Sequence, residues 1–258
     1  MKITALAENT AVNDDFSAEH GLSLYIETDT KRVLFDMGQS TLFTENAKKL
    51  GIDLGTVDFA VLSHGHYDHG GGLSEFLAIN RHAPVYINEN AFLPYYNGSE
   101  KYIGLDTTLQ SNERFVFTKD EYVIGKGFTL YTCNGKEKIV GLGDCGLSKK
   151  VGDTLVSDDF LHEQYLLIEE QGKRVLISGC SHKGVLNVVS WFAPHVLVGG
   201  FHFSKLPLDD VLTGYAEYLA DFDTRYYTCH CTGVEQFEYM RKTMPCLNYL
   251  STGETINI

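Results

Sequence analysis

Short apolar runs rich in β-branched and aromatic residues alternate along this chain with stretches whose apolar positions recur every three to four residues. The first pattern predicts strands over residues 3–7, 22–28, 32–36, 57–63, 165–169, 174–178, 196–199 and 225–228. The second predicts helices over 41–50, opened by Ser40 and stopped by Gly51, and over 73–80. Further helices are expected over 185–191, over 208–221 after Pro207, and over 234–243 before Pro245. Residues 97–159 are the least regular part and read as hairpins joined by long loops. Nothing resembles a linker, so the expectation is one domain over residues 1–258.

Residues 20–38 read HGLSLYIETDTKRVLFDMG and residues 162–180 read HEQYLLIEEQGKRVLISGC. Laid together without gaps they share eight of nineteen residues: His20/His162, Leu24/Leu166, Ile26/Ile168, Glu27/Glu169, Lys31/Lys173, Arg32/Arg174, Val33/Val175 and Leu34/Leu176. Each copy reads as a β-hairpin whose second strand ends in a loop of small residues. Two related halves follow, each giving a hairpin to its own sheet. Two packed sheets with helices outside would put a site along their shared edge. Hairpins converging on similar sequences are the alternative.

Composition narrows the function. The net charge of −13 argues against nucleic acid, because phosphate binding needs a concentrated basic surface and the chain offers only dipeptides such as Lys31-Arg32. No run approaches the roughly 20 apolar residues that a membrane helix needs. The opening residues are too short an apolar run for a signal peptide. Cysteines stand at 133, 145, 180, 229, 231 and 246; without a secretory signal they read as reduced thiols, and the expected location is the cytoplasm.

The chemistry concentrates after residues 57–63, a nearly continuous apolar run of the kind buried on both faces of a sheet. His64, His66, Asp68 and His69 follow within six residues, then Gly70, Gly71 and Gly72. Packing does not explain four ligand-capable side chains on one tight loop. Imidazoles two apart in extended chain point the same way, so His64 and His66 can grip one ion. Asp68 and His69, where the chain turns, can reach a second. The glycines let the backbone bend and come close.

The H-x-H-x-D-H pattern after an apolar strand resembles the signature of the metallo-β-lactamase superfamily, and Phe35-Asp36-Met37-Gly38 resembles its D-x-G loop. Glu19-His20-Gly21-Leu22-Ser23, Gly179-Cys180-Ser181-His182, Gly199-Gly200-Phe201-His202 and Cys229-His230-Cys231-Thr232-Gly233 are similar to its dihydropterin-linked branch, around ribofuranosylaminobenzene phosphate synthase-like proteins. The resemblance implies an αββα sandwich and a mono- or dinuclear metal site, usually zinc, sometimes iron or manganese.

The remaining ligands must come from other strand ends. His182 and His230 each close a strand. The expected sets are His64, His66 and His182 around one metal, and Asp68, His69 and His230 around the other. Where many members of the superfamily carry a bridging aspartate after Ser-Gly, this chain has Cys180, whose thiolate suits zinc. His162, just before the second hairpin, is a further candidate, and Cys180, His182 and His162 stay open as the residue that completes the site. Asp36 is expected to fix the tautomer of a ligating histidine. His202, if protonated, would assist the leaving group, and Glu8, Asn9 and His20 fall on loops at the same edge. Gly141-Leu142-Gly143-Asp144-Cys145-Gly146 is a thin phosphate-loop signal, and Cys229-His230-Cys231 would be a zinc knuckle were a second cysteine pair present. Phe92, Tyr95 and Tyr96 read as ordinary packing, with a lid as the alternative.

The reading is a two-metal hydrolase of a small anionic molecule, a phosphoester or phosphodiester, with Asp68 orienting the nucleophile. Iron-dependent redox chemistry on the same scaffold and a non-catalytic metal sensor are its rivals.

Overall fold

A computed structural model describes residues 1–141 and 145–258. Two seven-stranded sheets face each other. The first runs, edge to edge, Thr255–Asn257, Lys2–Ala7, Ser23–Glu27, Arg32–Phe35, Phe59–Val61, Val85–Asn88 and Phe115–Thr118. The second runs Glu121–Gly125, Phe128–Tyr131, Tyr165–Glu170, Lys173–Ile177, Val196–Gly199, Arg225–Thr228 and Leu247–Tyr249. In both, the first three pairings are antiparallel and the last three parallel.

The repeated segments form the antiparallel hairpin at the middle of each sheet, in the same register. Leu24 faces Phe35 and Ile26 faces Val33; in the second copy Leu166 faces Ile177 and Ile168 faces Val175. Alternation then sorts the side chains into layers. Leu24, Ile26, Val33 and Phe35 meet Leu166, Ile168, Val175 and Ile177 between the sheets. Their neighbours Tyr25 and Leu34 turn outward onto the helices Leu42–Lys49 and Leu73–Ile79, through Phe43, Ala47, Leu73 and Phe76. Leu167 and Leu176 turn outward onto Val185–Phe192, Asp210–Ala220 and Val234–Met240. The layers are therefore helix, sheet, sheet, helix. Strands covered on both faces explain the unbroken apolar runs, each fully buried Leu, Ile or Val contributing about 1.5–3 kcal/mol.

Some boundaries differ from expectation, for local reasons. The strand expected over 57–63 is Phe59–Val61, because the Ser63 N–H donates to Asp36 Oδ1 at 2.7 Å instead of continuing a ladder. The helix expected from 208 begins at Asp210, where Asp209 accepts from the N–H groups of Val211 and Leu212 at 3.0 and 3.3 Å. Ser40 accepts from the Leu42 N–H at 3.1 Å. The irregular middle does hold hairpins, Glu121–Gly125 with Phe128–Tyr131 and Leu147–Val151 with Thr154–Ser157. The second of them joins a third, four-stranded sheet that was not expected, in the order Thr154–Ser157, Leu147–Val151, Tyr95–Asn97 and Lys101–Tyr102. Of the glycine-rich candidate at 141–146, positions 142–144 lie outside the described residues. Among the described residues no helix is long and apolar enough to cross a membrane.

Candidate metal centre

The parallel strands of both sheets point their C-terminal ends at one rim, where open α/β sheets gather ligand groups. His64, His66, Asp68 and His69 follow Phe59–Val61; Cys180 and His182 follow Lys173–Ile177; His202 follows Val196–Gly199; His230 follows Arg225–Thr228. Several loop residues hold left-handed backbone there: Asp36, Ser181, His202 and His230 have φ of 59°, 55°, 58° and 49°. Such conformations persist only where surrounding contacts over-determine them.

Those contacts also fix how each imidazole is protonated. Asp36 Oδ2 accepts from the Ser63 hydroxyl at 2.7 Å and from His69 Nδ1 at 2.6 Å. With its O–H donated to Asp36, Ser63 Oγ accepts from His64 Nδ1 at 2.8 Å. Asn9 Oδ1 accepts from His230 Nδ1 at 2.8 Å. In His64 and His230 the proton thus sits on Nδ1 and the Nε2 lone pair is free to ligate. His69 also donates from Nδ1, but against the opposing effect of burial Asp36 and Asp68 raise it to about 9, so an ion at its Nε2 would have to displace a second proton. A Cβ on Gly179 would collide with Ser63 Oγ and crowd His64 Nδ1, so the loop needs glycine there.

Two donor groups converge. The ligand atoms of His64, His66 and His182 all lie within 4.8 Å of one another, and all three residues are buried. Next to them, His69 Nε2 lies 3.3 Å from His230 Nε2 and 3.2 Å from Cys180 Sγ. Asp68 Oδ2 lies 3.5 Å from His230 Nε2 and 3.9 Å from His69 Nε2. The expected sets are thus brought together as groups, with Cys180 between them. His64 Nε2, His66 Nε2 and both nitrogens of His182 are buried with no hydrogen-bond partner. A buried polar atom without a partner costs about 1–3 kcal/mol. One such nitrogen from each of the three histidines, gathered within 4.8 Å, fits a cation, and a mixed imidazole, carboxylate and thiol set fits zinc or iron.

The electrostatics agree with that use. Burial, reinforced by neighbouring imidazoles, holds His64 and His182 well below the ordinary histidine range, so they stay neutral. Burial opposes ionisation of Asp68, but His69, His20 and His230 outweigh it and keep the carboxylate charged. Burial pushes the Cys180 thiol well up; a bound cation reverses that preference, because a coordinating thiol loses its proton.

The remaining candidates take the following places. His162 accepts from the Gly65 N–H through Nδ1 at 2.8 Å and donates from Nε2 to Asp158 Oδ2 at 3.1 Å. Both nitrogens are engaged, so His162 braces the His64–His66 loop; it also forms, with His66 and Asp158, a further group of donor atoms within 4.8 Å of one another, while His182 joins His64 and His66. Glu8 is buried, accepting from the His230 N–H at 3.0 Å, so it lies behind His230 and not on a pocket wall. Burial and the nearby His66 and Lys205 push His202 down to about 4, so at neutral pH it is no imidazolium and presents only a neutral N–H. Its ring is 4.4 Å from that of His182. His20 Nε2 meets Asp68 Oδ2 at 3.2 Å on the open side. Tyr95 is no lid: its ring stacks on His162 at 4.0 Å. Phe92 is buried in the packing between the first sheet and its helices.

Sequence reasoning missed Glu163, whose carboxylate accepts from the backbone N–H of His182 at 2.6 Å and of Lys183 at 3.0 Å. It also missed Asp158 and Phe160, whose ring lies 4.5 Å from His182, nearly parallel at 3°. Glu163 carries a signal, being a carboxylate beside the first residue of the second repeat; Asp158 and Phe160 carry none.

A cavity of about 160 Å³ opens on the cluster, bounded by His66, Asp68, Cys180, His182, His202 and His230, with Lys101 and Lys205 also on its wall. An αββα sandwich with a histidine-rich rim defines a metal-binding class, and residues 17–216 match the metallo-β-lactamase superfamily. The chain belongs to that superfamily. It is 32% identical to an uncharacterized protein of Methanocaldococcus jannaschii, over 99% of this chain and 100% of that one. From the same organism, 7,8-dihydropterin-6-methyl-4-(β-D-ribofuranosyl)-aminobenzene-5'-phosphate synthase is 30% identical over 90% of this chain and 88% of its own length. The crystal structure of Tm1679, a metal-dependent hydrolase of the β-lactamase superfamily, superposes with a TM-score of 0.84 at 28% identity, covering 100% of this chain and 99% of that one.

Proposed function

We propose that this protein is a metal-dependent hydrolase of a small anionic substrate, a phosphoester or phosphodiester, holding two divalent ions, zinc first and iron or manganese next. The observation that carries the reading is the set of buried nitrogens on His64, His66 and His182 that make no hydrogen bond, with Asp158 3.8 Å from His66 Nε2, together with the ionised Asp68. Divalent ions there supply Lewis acidity and bring the pKa of water down towards about 7.

The chain's own residues do the rest. Asp68, held by His20 and His230 and 3.9 Å from His69, orients the attacking water. Lys101 and Lys205 at the mouth draw in an anion, against a net charge of −13 for the whole chain. The neutral His202 donates an N–H to a substrate oxygen, and the buried rings of Phe160 and Tyr95 keep water from the rear of the cluster. The substrate is a small molecule, and the free thiols suit the reducing cytoplasm.

The test is reconstitution with zinc, manganese or iron(II), followed by assay on phosphomonoesters, phosphodiesters and lactones. His66→Ala is expected to abolish metal-dependent turnover while leaving the fold intact by circular dichroism. No turnover on any substrate, or full activity in His66→Ala, ends this reading. A second reading, group transfer to an acceptor other than water, is favoured by the synthase relative. It predicts product only when a second substrate is supplied.

A further inference from the structure

The Cys229-His230-Cys231 motif has no second cysteine pair along the chain, yet the fold brings it a sulfur from elsewhere. Cys180, at the end of Lys173–Ile177, comes to the same place, and the donor atoms of Cys180, His230 and Cys231 all lie within 4.8 Å of one another. Around one tetrahedral ion with bonds of about 2.0–2.3 Å, donors stand roughly 3.3–3.8 Å apart, so this spacing needs little adjustment. Cys180 Sγ is already 3.2 Å from His69 Nε2, which is 3.3 Å from His230 Nε2.

The local backbone makes room for the second sulfur. A Cβ on Gly200 would collide with Cys231 Sγ, so glycine clears the space that the sulfur fills. The Cys231 thiol points back over the motif's partner, donating weakly to the Cys180 carbonyl at 3.6 Å. Cys229, two residues earlier, goes the other way and packs in the apolar layer between the sheets. Cys180 and Cys231 are buried but join none of the apolar clusters of the described residues. Ordinary packing therefore accounts for Cys229 and leaves the other two without a structural task.

We propose that Cys180 and Cys231 together present two sulfur donors to the metal position they share with His69 and His230, making it the thiophilic half of the pair. Each thiol releases its proton to solvent as its sulfur takes the ion. Such a position selects zinc, cobalt or iron over magnesium and manganese, because soft thiolate suits the former and not the hard, oxygen-preferring ions. The proposal rests on the cluster being a metal centre but on no particular reaction.

Titrating the metal-free protein with cobalt(II) and reading the sulfur-to-cobalt charge-transfer band tests this without any substrate. The band is expected to fall to about one-half in Cys231→Ser and in Cys180→Ser, to vanish in the double variant, and to be unchanged in Cys229→Ser. A full-strength band in Cys231→Ser overturns the proposal, as does its loss in Cys229→Ser. Zinc-edge X-ray absorption of the zinc-loaded wild-type protein guards against variants that do not fold. A sulfur shell at about 2.3 Å supports the assignment, and its absence ends it. Inactivity on every phosphoester alongside an intact cobalt band would refute the hydrolase reading and leave this one standing.

Discussion

The two halves of this protein share a hairpin and differ in what they hang on its end. In both, the alternating Leu, Ile and Val positions are buried and paired in matching register. Where the second strand stops, the first half places Asp36 and the second places Ser178. Asp36 grips the Ser63 backbone, the Ser63 hydroxyl and His69, whereas Ser178 reaches only the Ser181 hydroxyl, at 2.7 Å. Before the hairpin, His20 pairs with Asp68 with 54% of its side chain exposed, and its counterpart His162 pairs with Asp158 fully buried. One half thus positions ligands through a charged anchor and the other through buried bracing. A shared scaffold sets where the loops go, and a few polar residues at strand ends decide what each loop does.

Exchanging the strand-end anchors should break the symmetry most visibly. Asp36→Ala leaves the His69 imidazole and the Ser63 donors buried without their acceptor, and is expected to destabilise the protein by about 3–5 kcal/mol. Its metal affinity should also fall about 10–100-fold, as read by chelator competition. Ser178→Ala should cost about 1 kcal/mol in urea denaturation. Equal losses in the two variants would mean that Asp36 has no special positioning role.

A smaller contrast is expected between the paired histidines. His162→Ala removes the ring stacked on Tyr95 and strands the Gly65 N–H, a loss of about 2–4 kcal/mol. His20→Ala, at a solvated ion pair, should change stability by no more than about 1 kcal/mol. Thermal melts of the metal-free variants measure both.

The mildest effect is a pH profile of the metal-free protein. Burial pushes His162 and His230, like His202, down to about 4. Between pH 6.5 and 4 the unfolded chain therefore binds more protons than the folded one, and stability falls as pH drops. His69 runs the other way: burial opposes its charge, but Asp36 and Asp68 raise it to about 9. Its contribution is present below pH 6.5 and lost as pH rises through 9. Denaturation midpoints should peak near neutrality, and in Asp36→Asn the alkaline limb should flatten. An unchanged alkaline limb in that variant would remove His69 as its source.

Much of this was legible along the chain. The repeat located both hairpins, because β-branched residues at alternating positions describe a strand whichever sheet receives it. The His64–His69 run announced a cluster of metal-capable side chains, because no packing role needs four such side chains on one loop. The third sheet was not legible: strands such as Lys101–Tyr102 and Thr154–Ser157 are short and exposed, so burial left little apolar signature in them.

Sequence alone determined which residues are chemically able to bind a cation and where the core strands run, since both follow from local side-chain type and period. Tertiary structure alone decided that His182 is open while His162 is spent on Gly65 and Asp158, that Glu163 holds the His182 loop, and that Cys180 meets Cys231. Each of those choices depends on distances between strand ends far apart in the chain, and such distances are fixed only when the two sheets close on their common core.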